Sequence, residues 1–434
     1  MNEDSIYIRI AEKLDRHAAG APRCADGFSG AFIDYLKMLY SSEAADIIQH
    51  LKVTREFSAN GYDVNDFTSA GRLAELSGKS VDDVKSLLDP LVRKGALTGN
   101  SAMISGSFGD ATRGTMRALR VLYRNSGLSG VLKVIRDTVR QNVRDIVKYG
   151  RRGAGGVTNI PMYALPIYAS LLNVHQFYPE TSDEDIRASE LYREYFIKDG
   201  YYKYYEGSEK GTPTWRTIPV NRTIRSDQRI LDNEEAHAII DAATDIALVP
   251  CPCRTRTEKL GIRECKDRNP VGACVMMGLS ALFFESSGLG QRVSKEKAKE
   301  YLDHMQDLGL VAATENYQDI NHAVVCLCCE CCCSMMRGRT RWDNPDAVLP
   351  SNFVPRNNED CIFCGKCAAR CPVEAITVDK KLKKFEVDES RCIGCGVCTI
   401  TCKKDALRLE RVERSESPSN ARELYDRIYQ ENRN

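Results

Sequence analysis

The N-terminal quarter of the chain carries apolar residues at the spacing of amphipathic helices. Residues three or four positions apart share one helix face, and a first apolar stripe consists of Ala45, Ile47, Ile48 and Leu51. Thr68 and Ser69 can cap a second helix, which a turn at residues 78–80 separates from a third helix. The stripe of the third helix consists of Val81, Val84, Leu87, Leu88, Leu91 and Val92. The pattern predicts helices followed by a compact helix-turn-helix within residues 29–105.

The segment after this helix-turn-helix, Gly-Ala-Leu at residues 95–97, resembles the start of the wing in a winged-helix domain. Many such domains read DNA with the second helix of the helix-turn-helix. Here that helix carries Asp82, Asp83 and Asp89, and carboxylates repel the phosphates of a duplex. We therefore favour a structural or protein-docking role for this part of the chain, with DNA reading as the alternative.

A strongly basic segment follows, because residues 113–152 contain eleven Lys and Arg residues against two acidic ones. One basic stripe comprises Arg113, Arg117, Arg120 and Arg124. A second comprises Lys133, Arg136, Arg140, Arg144 and Lys148, opposite the apolar residues Leu132, Ile135, Val139, Val143 and Ile146. Such a helix is typical of a solvated surface, or of contact with an acidic protein, a membrane surface or nucleic acid. Because the apolar side lacks a bulky aromatic anchor, an acidic protein is the functional partner we favour.

Periodicity weakens in the middle of the chain. Residues 178–232 are rich in tyrosine and predict an irregular stretch of strands and loops. Regular elements resume with a helix over residues 231–243, a short apolar strand at 246–249 and a helix at 295–308. The strand leads directly into the first two cysteines of a cysteine-rich region, so the chemistry of that region is placed at the end of a sheet.

Composition changes this picture because 19 of the 434 residues are cysteines. The N-terminal residues have the pattern of neither a secretory signal nor a transit peptide, and no apolar run reaches the roughly 18 residues of a membrane-spanning helix. The net charge of +1 gives no general attraction to nucleic acid or anionic lipid. We therefore expect a cytoplasmic protein whose reduced cysteines bind metal, rather than a disulfide-linked one.

Eight of the cysteines form two copies of the pattern C-x2-C-x2-C-x3-C, about thirty residues apart. The first copy consists of Cys361, Cys364, Cys367 and Cys371, and the second of Cys392, Cys395, Cys398 and Cys402. This is the spacing with which bacterial ferredoxins hold cubane 4Fe-4S clusters. The residues after each copy also repeat, which indicates a repeated unit of loop, short helix and strand. Residues 353–410 therefore resemble a dicluster ferredoxin domain.

Crossed ligation is expected in such a repeat. Three thiolates on a tight loop reach three irons of one cube, whereas the following helix carries the fourth cysteine to the other cube. One cluster is then held by Cys361, Cys364, Cys367 and Cys402, and the other by Cys392, Cys395, Cys398 and Cys371. Lys403 replaces the usual proline after the fourth cysteine, and its charge would raise the potential of the nearby cluster. Zinc bound by C-x2-C pairs is the alternative, but some cysteine sulfurs of each repeat would then have no metal to bind.

Ten further cysteines lie between residues 251 and 333. A third centre is predicted at Cys251, Cys253, Cys265 and Cys274, with Cys274 at the start of a helix whose dipole favours a thiolate. Arg254 would offset the charge of a reduced cluster. Neighbouring sulfurs diverge in the run Cys326, Cys328, Cys329, Cys331, Cys332 and Cys333, so one metal cannot bind them all. Some of them are expected to bind a further centre, and others to stay free or to serve as a redox-active pair. The cofactors predicted here are one or two additional iron–sulfur clusters or zinc, and a cysteine-based catalytic or regulatory site is the alternative.

Five segments are predicted in an α+β multidomain fold. They are a helical winged-helix-like domain at residues 1–110, a basic and Tyr-rich connecting region at 111–230, a central α/β cysteine-rich metal domain at 231–345, a ferredoxin-like dicluster domain at 351–410 and a charged helical tail at 411–434. Taken whole, the chain resembles the multidomain 4Fe-4S proteins of anaerobes. That resemblance implies electron transfer for a larger oxidoreductase.

Three functions are compatible with these features. The leading hypothesis is an electron-transfer protein that relays electrons through two 4Fe-4S clusters to or within an oxidoreductase system, with a redox protein or oxidoreductase subunits as partners. The second is a redox enzyme that reduces a substrate at the cysteine site of residues 251–333. The third is a redox-sensing regulator that binds DNA. Standard nucleotide-binding motifs are missing from the sequence, and no residue is assigned a catalytic role.

Overall fold

The computed structural model describes residues 4–54, 66–99, 119–120, 123, 127–137, 139–140, 143, 147–148, 162–166, 174–178, 181–207, 211–342, 344–412, 414 and 416–433. Two compact units are formed. The first contains Met1–Tyr201 with Gly278–Arg292, and the second contains Tyr202–Met277 with Val293–Asn434. Helices and strands are mixed, as the predicted α+β class requires. The five sequence segments stay a prediction about domain boundaries.

Helices dominate the first unit. Its elements up to Tyr201 are α1 (Asp4–Leu14), β1 (Arg23–Cys24), β2 (Gly27–Phe28), α2 (Gly30–Leu39), α3 (Ser42–Ile48), β3 (Thr68–Ser69), α4 (Ala70–Ser77), α5 (Val81–Lys94), β4 (Thr98–Gly99), β5 (Met162–Ala164) and α6 (Asp183–Tyr192). A π-helix, Arg193–Lys198, continues directly from α6. Helix α2 packs against α6.

The prediction of an irregular stretch over residues 178–232 is wrong for its first half. Helix α6 begins at a capping box, in which Ser182 accepts from the backbone of Asp185 and the Asp185 side chain accepts from the backbone of Ser182. Two orphan N–H groups are thereby satisfied. The aromatic residues behind this start pack as a helix face, since the ring of Tyr195 lies 5.6 Å from that of Phe32 and 5.7 Å from that of Tyr35. Aromatic burial, rather than a regular apolar stripe, therefore stabilises this helix.

The predicted helix-turn-helix is confirmed by α4 and α5. Ser69 caps α4, and Gly78 ends it in the left-handed conformation, with a φ of 67°. Ser80 and Asp83 form a capping box at the start of α5, and Asp89 accepts a 2.6 Å hydrogen bond from the Tyr163 hydroxyl. Strands β3, β5 and β4 form a small sheet in that order. Asp83 and Asp89, two of the three carboxylates that argue against DNA binding, thus have hydrogen-bond partners within the protein. That this part of the chain does not read DNA stays a prediction.

The basic segment is described only in part. Residues 127–137 and 139–140 are helical, whereas Arg113, Arg117, Arg124, Arg144 and Ile146 lie outside the described residues. The predicted apolar side is exposed at Leu132, Ile135, Val139 and Val143. An acidic protein partner for this segment stays a prediction. In the described part of the chain, no helix is both long and apolar enough to cross a membrane.

The elements from Tyr202 onward are α7 (Tyr202–Tyr205), β6 (Trp215–Ile218), α8 (Ala236–Ala242), β7 (Ile246–Pro250), α9 (Pro252–Lys259), β8 (Ala273–Met277), α10 (Gly278–Ser286), β9 (Gln291–Arg292), α11 (Lys295–Asp307), β10 (Val311–Glu315), β11 (Val324–Cys328), α12 (Ser334–Arg341), β12 (Phe353–Asn357), α13 (Lys366–Ala369), β13 (Ile376–Asp379), β14 (Lys384–Val387), β15 (Leu407–Arg411) and α14 (Ala421–Glu431). Helix α10 and strand β9 belong to the first unit. The strand predicted at 246–249 and the helix predicted at 295–308 are confirmed by β7 and α11.

The second unit is built on an antiparallel sheet in the order β6, β10, β11, β8, β7. Because side chains alternate between the two faces of a strand, the sheet has two cores. On one face, Val325 and Leu327 of β11 pack with residues of α8 and α11. On the other face, Val311 and Ala313 of β10 pack with Met335 at the start of α12 and with residues of the C-terminal segment.

The C-terminal segment consists of two small antiparallel pairs, β12 with β15 and β13 with β14. After the first cysteine loop the chain forms α13 and then β13, and after the second it forms a 3-10 helix, Thr399–Thr401, and then β15. This confirms the predicted repeat of loop, short helix and strand. The pairing places the two cysteine loops in one small fold.

Candidate metal centres

The alternation of strand β11 divides the cysteine run. Cys326 and Cys328 are two residues apart in β11, so their side chains lie on the same face of the sheet. Both belong to the core that includes the C-terminal segment, whereas Val325 and Leu327 point to the opposite core. After β11 the chain turns, and Cys329, Cys331 and Cys332 join the opposite core. Cys333 then returns to the face of Cys326 and Cys328.

Six thiols meet on the first of these faces. Cys251 interacts with Cys253 and Cys274, Cys274 with Cys326, Cys326 with Cys328, Cys328 with Cys333, and Cys333 with Cys253. These contacts form a closed circuit, which we call the six-cysteine ring: Cys251, Cys253, Cys333, Cys328, Cys326 and Cys274. The ring residues are buried, except that Cys253 and Cys326 are partly exposed.

Each member of the six-cysteine ring is placed by a regular element. Cys274 lies in β8, Cys326 and Cys328 lie in β11, and β8 pairs with β11. The expectation that Cys274 starts a helix is wrong, because α10 begins only at Gly278. The helix starts belong instead to Cys251, which precedes α9, and to Cys333, which precedes α12. The positive ends of these two helices therefore face the ring.

Thiol–thiol hydrogen bonding polarises the ring. Hydrogen bonds with Cys251 and Cys333 lower the pKa of Cys253, and those with Cys251 and Cys326 lower the pKa of Cys274. The same contacts raise the pKa of Cys251. Binding of a metal would favour the thiolate form of each ligand cysteine, because a metal binds the deprotonated sulfur.

The remaining four cysteines form a tighter group, which we call the four-cysteine group. Its members are Cys265, Cys329, Cys331 and Cys332, and their sulfurs all lie within 4.8 Å of one another. The Cys265 sulfur is 3.9 Å from that of Cys329 and 3.7 Å from that of Cys332, and the Cys331 sulfur is 3.9 Å from that of Cys329 and 3.5 Å from that of Cys332. All four are buried.

Arg254 lies between the two thiol groups. Its side chain is 1 % exposed, and it donates to the Val271 carbonyl at 2.5 Å and to the Leu327 carbonyl at 2.6 Å. Burial opposes its charge, but Cys251 and Cys274 of the ring, together with Cys329 of the four-cysteine group, hold its pKa above the ordinary value. Among the described residues, its Nη2 has no hydrogen-bond partner. A buried guanidinium with a spare donor fits a site that carries negative charge.

The eight cysteines of the C-terminal segment are spaced more widely. Of the described residues, only the four-cysteine group combines three or more ligand atoms within 4.8 Å of one another. Cys371 interacts electrostatically with Cys392, Cys395 and Cys398 from the other loop. Cys367 interacts with Cys361 and Cys364. Wide spacing suits a cube, because each thiolate binds a different iron.

The two cysteine loops differ in exposure. Cys364 is exposed and Cys361 partly so, whereas Cys392, Cys395 and Cys398 are buried. Burial raises the pKa of the Cys395 and Cys398 thiols. Backbone N–H groups offset this burial, since those of Gly394 and Val397 donate to Cys392 and Cys395, and that of Ala375 donates to Cys371 at 3.2 Å. Such N–H···S bonds stabilise negative sulfur and tune the potential of a cluster.

Three positive-φ glycines let these loops turn tightly around a cluster. Gly365 has a φ of 76°, Gly394 of 67° and Gly396 of 78°. A side chain at Gly394 would collide with the Phe353 carbonyl and with the Ser351 hydroxyl, whereas one at Gly365 would meet nothing within 4 Å. The second loop is therefore held against the body of the unit, and the first loop is open.

Comparison with known proteins agrees with this geometry. Residues 360–406 match the family model described as the 4Fe-4S dicluster domain. No curated protein and no solved structure matches the chain. The C-terminal part of the chain is therefore a dicluster domain of the ferredoxin type, which binds 4Fe-4S clusters and is built for iron–sulfur electron transfer.

The structure groups the other ten cysteines differently from the sequence prediction. It brings Cys251, Cys253 and Cys274 together as expected, but it places Cys265 with Cys329, Cys331 and Cys332. The run of residues 326–333 is shared equally between the two groups. One signal for this division was present in the sequence, because the apolar residues Val325 and Leu327 alternate with Cys326 and Cys328. The turn that separates the later cysteines carries no such signal.

Proposed function

We propose that the protein transfers electrons between two 4Fe-4S clusters in its dicluster domain and a further polynuclear iron–sulfur centre in the six-cysteine ring. The observation that carries the proposal is a shared core. Cys328 and Cys333 of the ring pack in the same apolar cluster as Cys392 and Cys395 of the dicluster domain. Electrons tunnel efficiently only between centres that lie close together, and a continuous core between two thiol groups supplies that proximity.

For the dicluster domain, we propose crossed ligation. One cluster would be held by Cys361, Cys364, Cys367 and Cys402, and the other by Cys392, Cys395, Cys398 and Cys371. The contacts of Cys371 with the second loop support this assignment. What the clusters supply is one-electron chemistry. The residues supply burial, N–H···S bonds and positive charge.

For the six-cysteine ring, the spacing favours a polynuclear centre. Of the described residues, no three members of this ring lie together within 4.8 Å, although each neighbours two others. A single tetrahedral ion needs its four sulfurs about 3.8 Å apart, given a metal–sulfur bond of about 2.3 Å. Sulfurs that are not all in mutual contact instead suit a cluster whose thiolates bind different irons. Arg254 and the starts of α9 and α12 would stabilise its negative charge.

The difference in exposure suggests a direction for the electrons. The first loop, with the exposed Cys364 and the exposed apolar Ile362, is the side at which an external redox protein would dock. The second loop is buried and shares its core with the six-cysteine ring. We propose that electrons pass between the partner and the ring through the first cluster and then the second.

The 19 cysteines, all without disulfides in the structure, favour a reducing, cytoplasmic location.

A second candidate function is a redox enzyme that uses the ring as its reducing site. One observation favours it, since Cys253 and Cys326 are partly exposed while the other ring members are buried. Six thiolates also exceed the four that one cube needs. A substrate at this edge would then be the electron acceptor.

Anaerobic metal analysis of the full chain tests the proposal. We expect clearly more than eight irons per chain, with acid-labile sulfide in similar amount. Cys274→Ala should reduce the iron content and leave the eight irons of the dicluster domain. Cys24→Ala is the matched control, because Cys24 is exposed and outside both groups. Electron paramagnetic resonance of the reduced protein should show spin coupling between the dicluster and the ring centre that Cys274→Ala abolishes.

An iron content of eight that Cys274→Ala does not change would overturn the ring centre and leave a plain dicluster carrier. A ring centre without spin coupling to the dicluster would favour the enzyme over the relay. Substrates for that enzyme can be sought by oxidising the pre-reduced protein with candidate acceptors.

A further inference from the structure

We infer that the four-cysteine group binds one zinc ion in tetrahedral coordination, as a site separate from every iron–sulfur centre of the chain. The inference does not depend on the proposed electron relay, because zinc has no redox chemistry. It concerns the opposite face of the sheet from the six-cysteine ring.

The sulfur spacing agrees with a single ion. Four sulfurs bound at about 2.3 Å around a tetrahedral zinc lie about 3.8 Å from one another. The four individual sulfur–sulfur distances in the group are 3.5, 3.7, 3.9 and 3.9 Å. None of them approaches the roughly 2.05 Å of a disulfide bond. A cube would need the thiolates further apart, since each must reach a different iron.

The surroundings compensate the charge of such a site. A zinc ion with four thiolates carries a net charge of −2, and three guanidinium groups interact electrostatically with its ligands. Arg254 interacts with Cys329, Arg268 with Cys265 and Cys331, and Arg341 with Cys331. Glu330, which lies within the same turn, is paired with Arg268 at 2.5 Å. Arg341 is in turn paired with Glu264, so the three guanidinium groups offset most, though not all, of the negative charge around the site.

The position of the group gives the ion a structural task. Cys265 comes from the loop between α9 and β8, and the other three ligands come from the turn between β11 and α12. The ion would tie the loop to the turn, in addition to the Arg268–Glu330 ion pair that already joins them. Because Cys328 and Cys333 flank the turn, the same tie would fix two members of the six-cysteine ring. With four protein ligands and no open position, the site is of the structural kind.

Zinc analysis and zinc-edge X-ray absorption of the anaerobically purified full chain test this inference. We expect about one zinc per chain, surrounded by four sulfurs at about 2.3 Å and without a neighbouring iron. Cys265→Ala should lose the zinc, whereas Cys24→Ala should retain it. Cys332→His keeps a ligand at the same place and should retain zinc with three sulfurs and one nitrogen. That variant covers the case in which Cys265→Ala does not fold.

Three results would overturn the inference. The first is wild-type protein with far less than one zinc per chain. The second is zinc with an iron neighbour or with oxygen and nitrogen ligands only. The third is an unchanged sulfur shell in Cys332→His. Because the iron content is measured in the same samples, failure of the zinc site and failure of the electron relay can be told apart.

Discussion

Replacing Arg254 should lower the reduction potential of the centre in the six-cysteine ring. Reduction adds negative charge to a cluster, and a buried cation beside it stabilises the reduced form. Arg254 is held in place by the Val271 and Leu327 carbonyls and interacts with Cys251 and Cys274. The change Arg254→Met removes the charge and keeps most of the side-chain volume, so the potential should fall while the cluster stays in place.

The size of the shift follows from Coulomb's law. For a unit charge taken at roughly 6–8 Å from the centre, an effective dielectric constant of about 20 gives an interaction of about 2–3 kcal/mol. For a one-electron step this corresponds to roughly 90–120 mV. The variant also loses two charge-assisted hydrogen bonds of about 1.5–3 kcal/mol each. Its stability should therefore fall noticeably as well.

The assay is a redox titration of the full chain followed by electron paramagnetic resonance, with iron content measured on each sample. Arg254→Lys should recover most of the potential but not both hydrogen bonds, because the ammonium lacks the planar fork. Arg187→Met serves as the control, since Arg187 is exposed and pairs with the neighbouring Glu190 on α6. A potential within about 20 mV of the wild type, with iron content unchanged, would refute the reasoning about this charge.

Three further predictions concern the dicluster domain and α5. Cys371→Ala should cost about four irons and remove the signal of the buried cluster more than that of its neighbour, because the fourth ligands cross; loss of the neighbour alone would contradict this. Gly394→Ala should destabilise the domain by about 2–4 kcal/mol through a positive φ and overpacking against Phe353, whereas Gly365→Ala should cost about 1 kcal/mol; urea unfolding of the two variants compares them. Binding of random duplex should be weak and sensitive to salt, and a selected DNA motif with roughly 10³-fold preference would instead indicate a regulator.

The sequence predicted the parts of the fold that short-range patterns determine, such as ligand spacing, helix caps and apolar stripes. The spacing of the eight C-terminal cysteines predicted the dicluster domain, because ligand geometry dictates that spacing. Caps and apolar stripes predicted α4 and α5. Strand β7 was also predictable, since four apolar residues run directly into Cys251.

The errors arose where tertiary contacts decide. Helix α6 and the π-helix after it are stabilised by rings such as Phe32, which lies far away in the sequence. Cys274 was placed at a helix start because the apolar residues after it have a helical spacing, yet the sheet extends through Met277. Cys265 joins the four-cysteine group because its loop contacts a turn about 65 residues further along the chain. No local pattern in the sequence predicts that contact. In each case the partner is distant, so the sequence around the residue does not reveal it.

The pleat of β11 has a consequence for how metals find their ligands. A run with six cysteines in eight positions offers many wrong combinations to an arriving ion. The folded sheet excludes many of them, because the alternation of the strand places Cys326 and Cys328 on one side. A slip of one residue in the pairing of β11 with β8 would send both sulfurs to the opposite side. The hydrogen-bonded register of the backbone therefore determines which of the two thiol groups Cys326 and Cys328 can join.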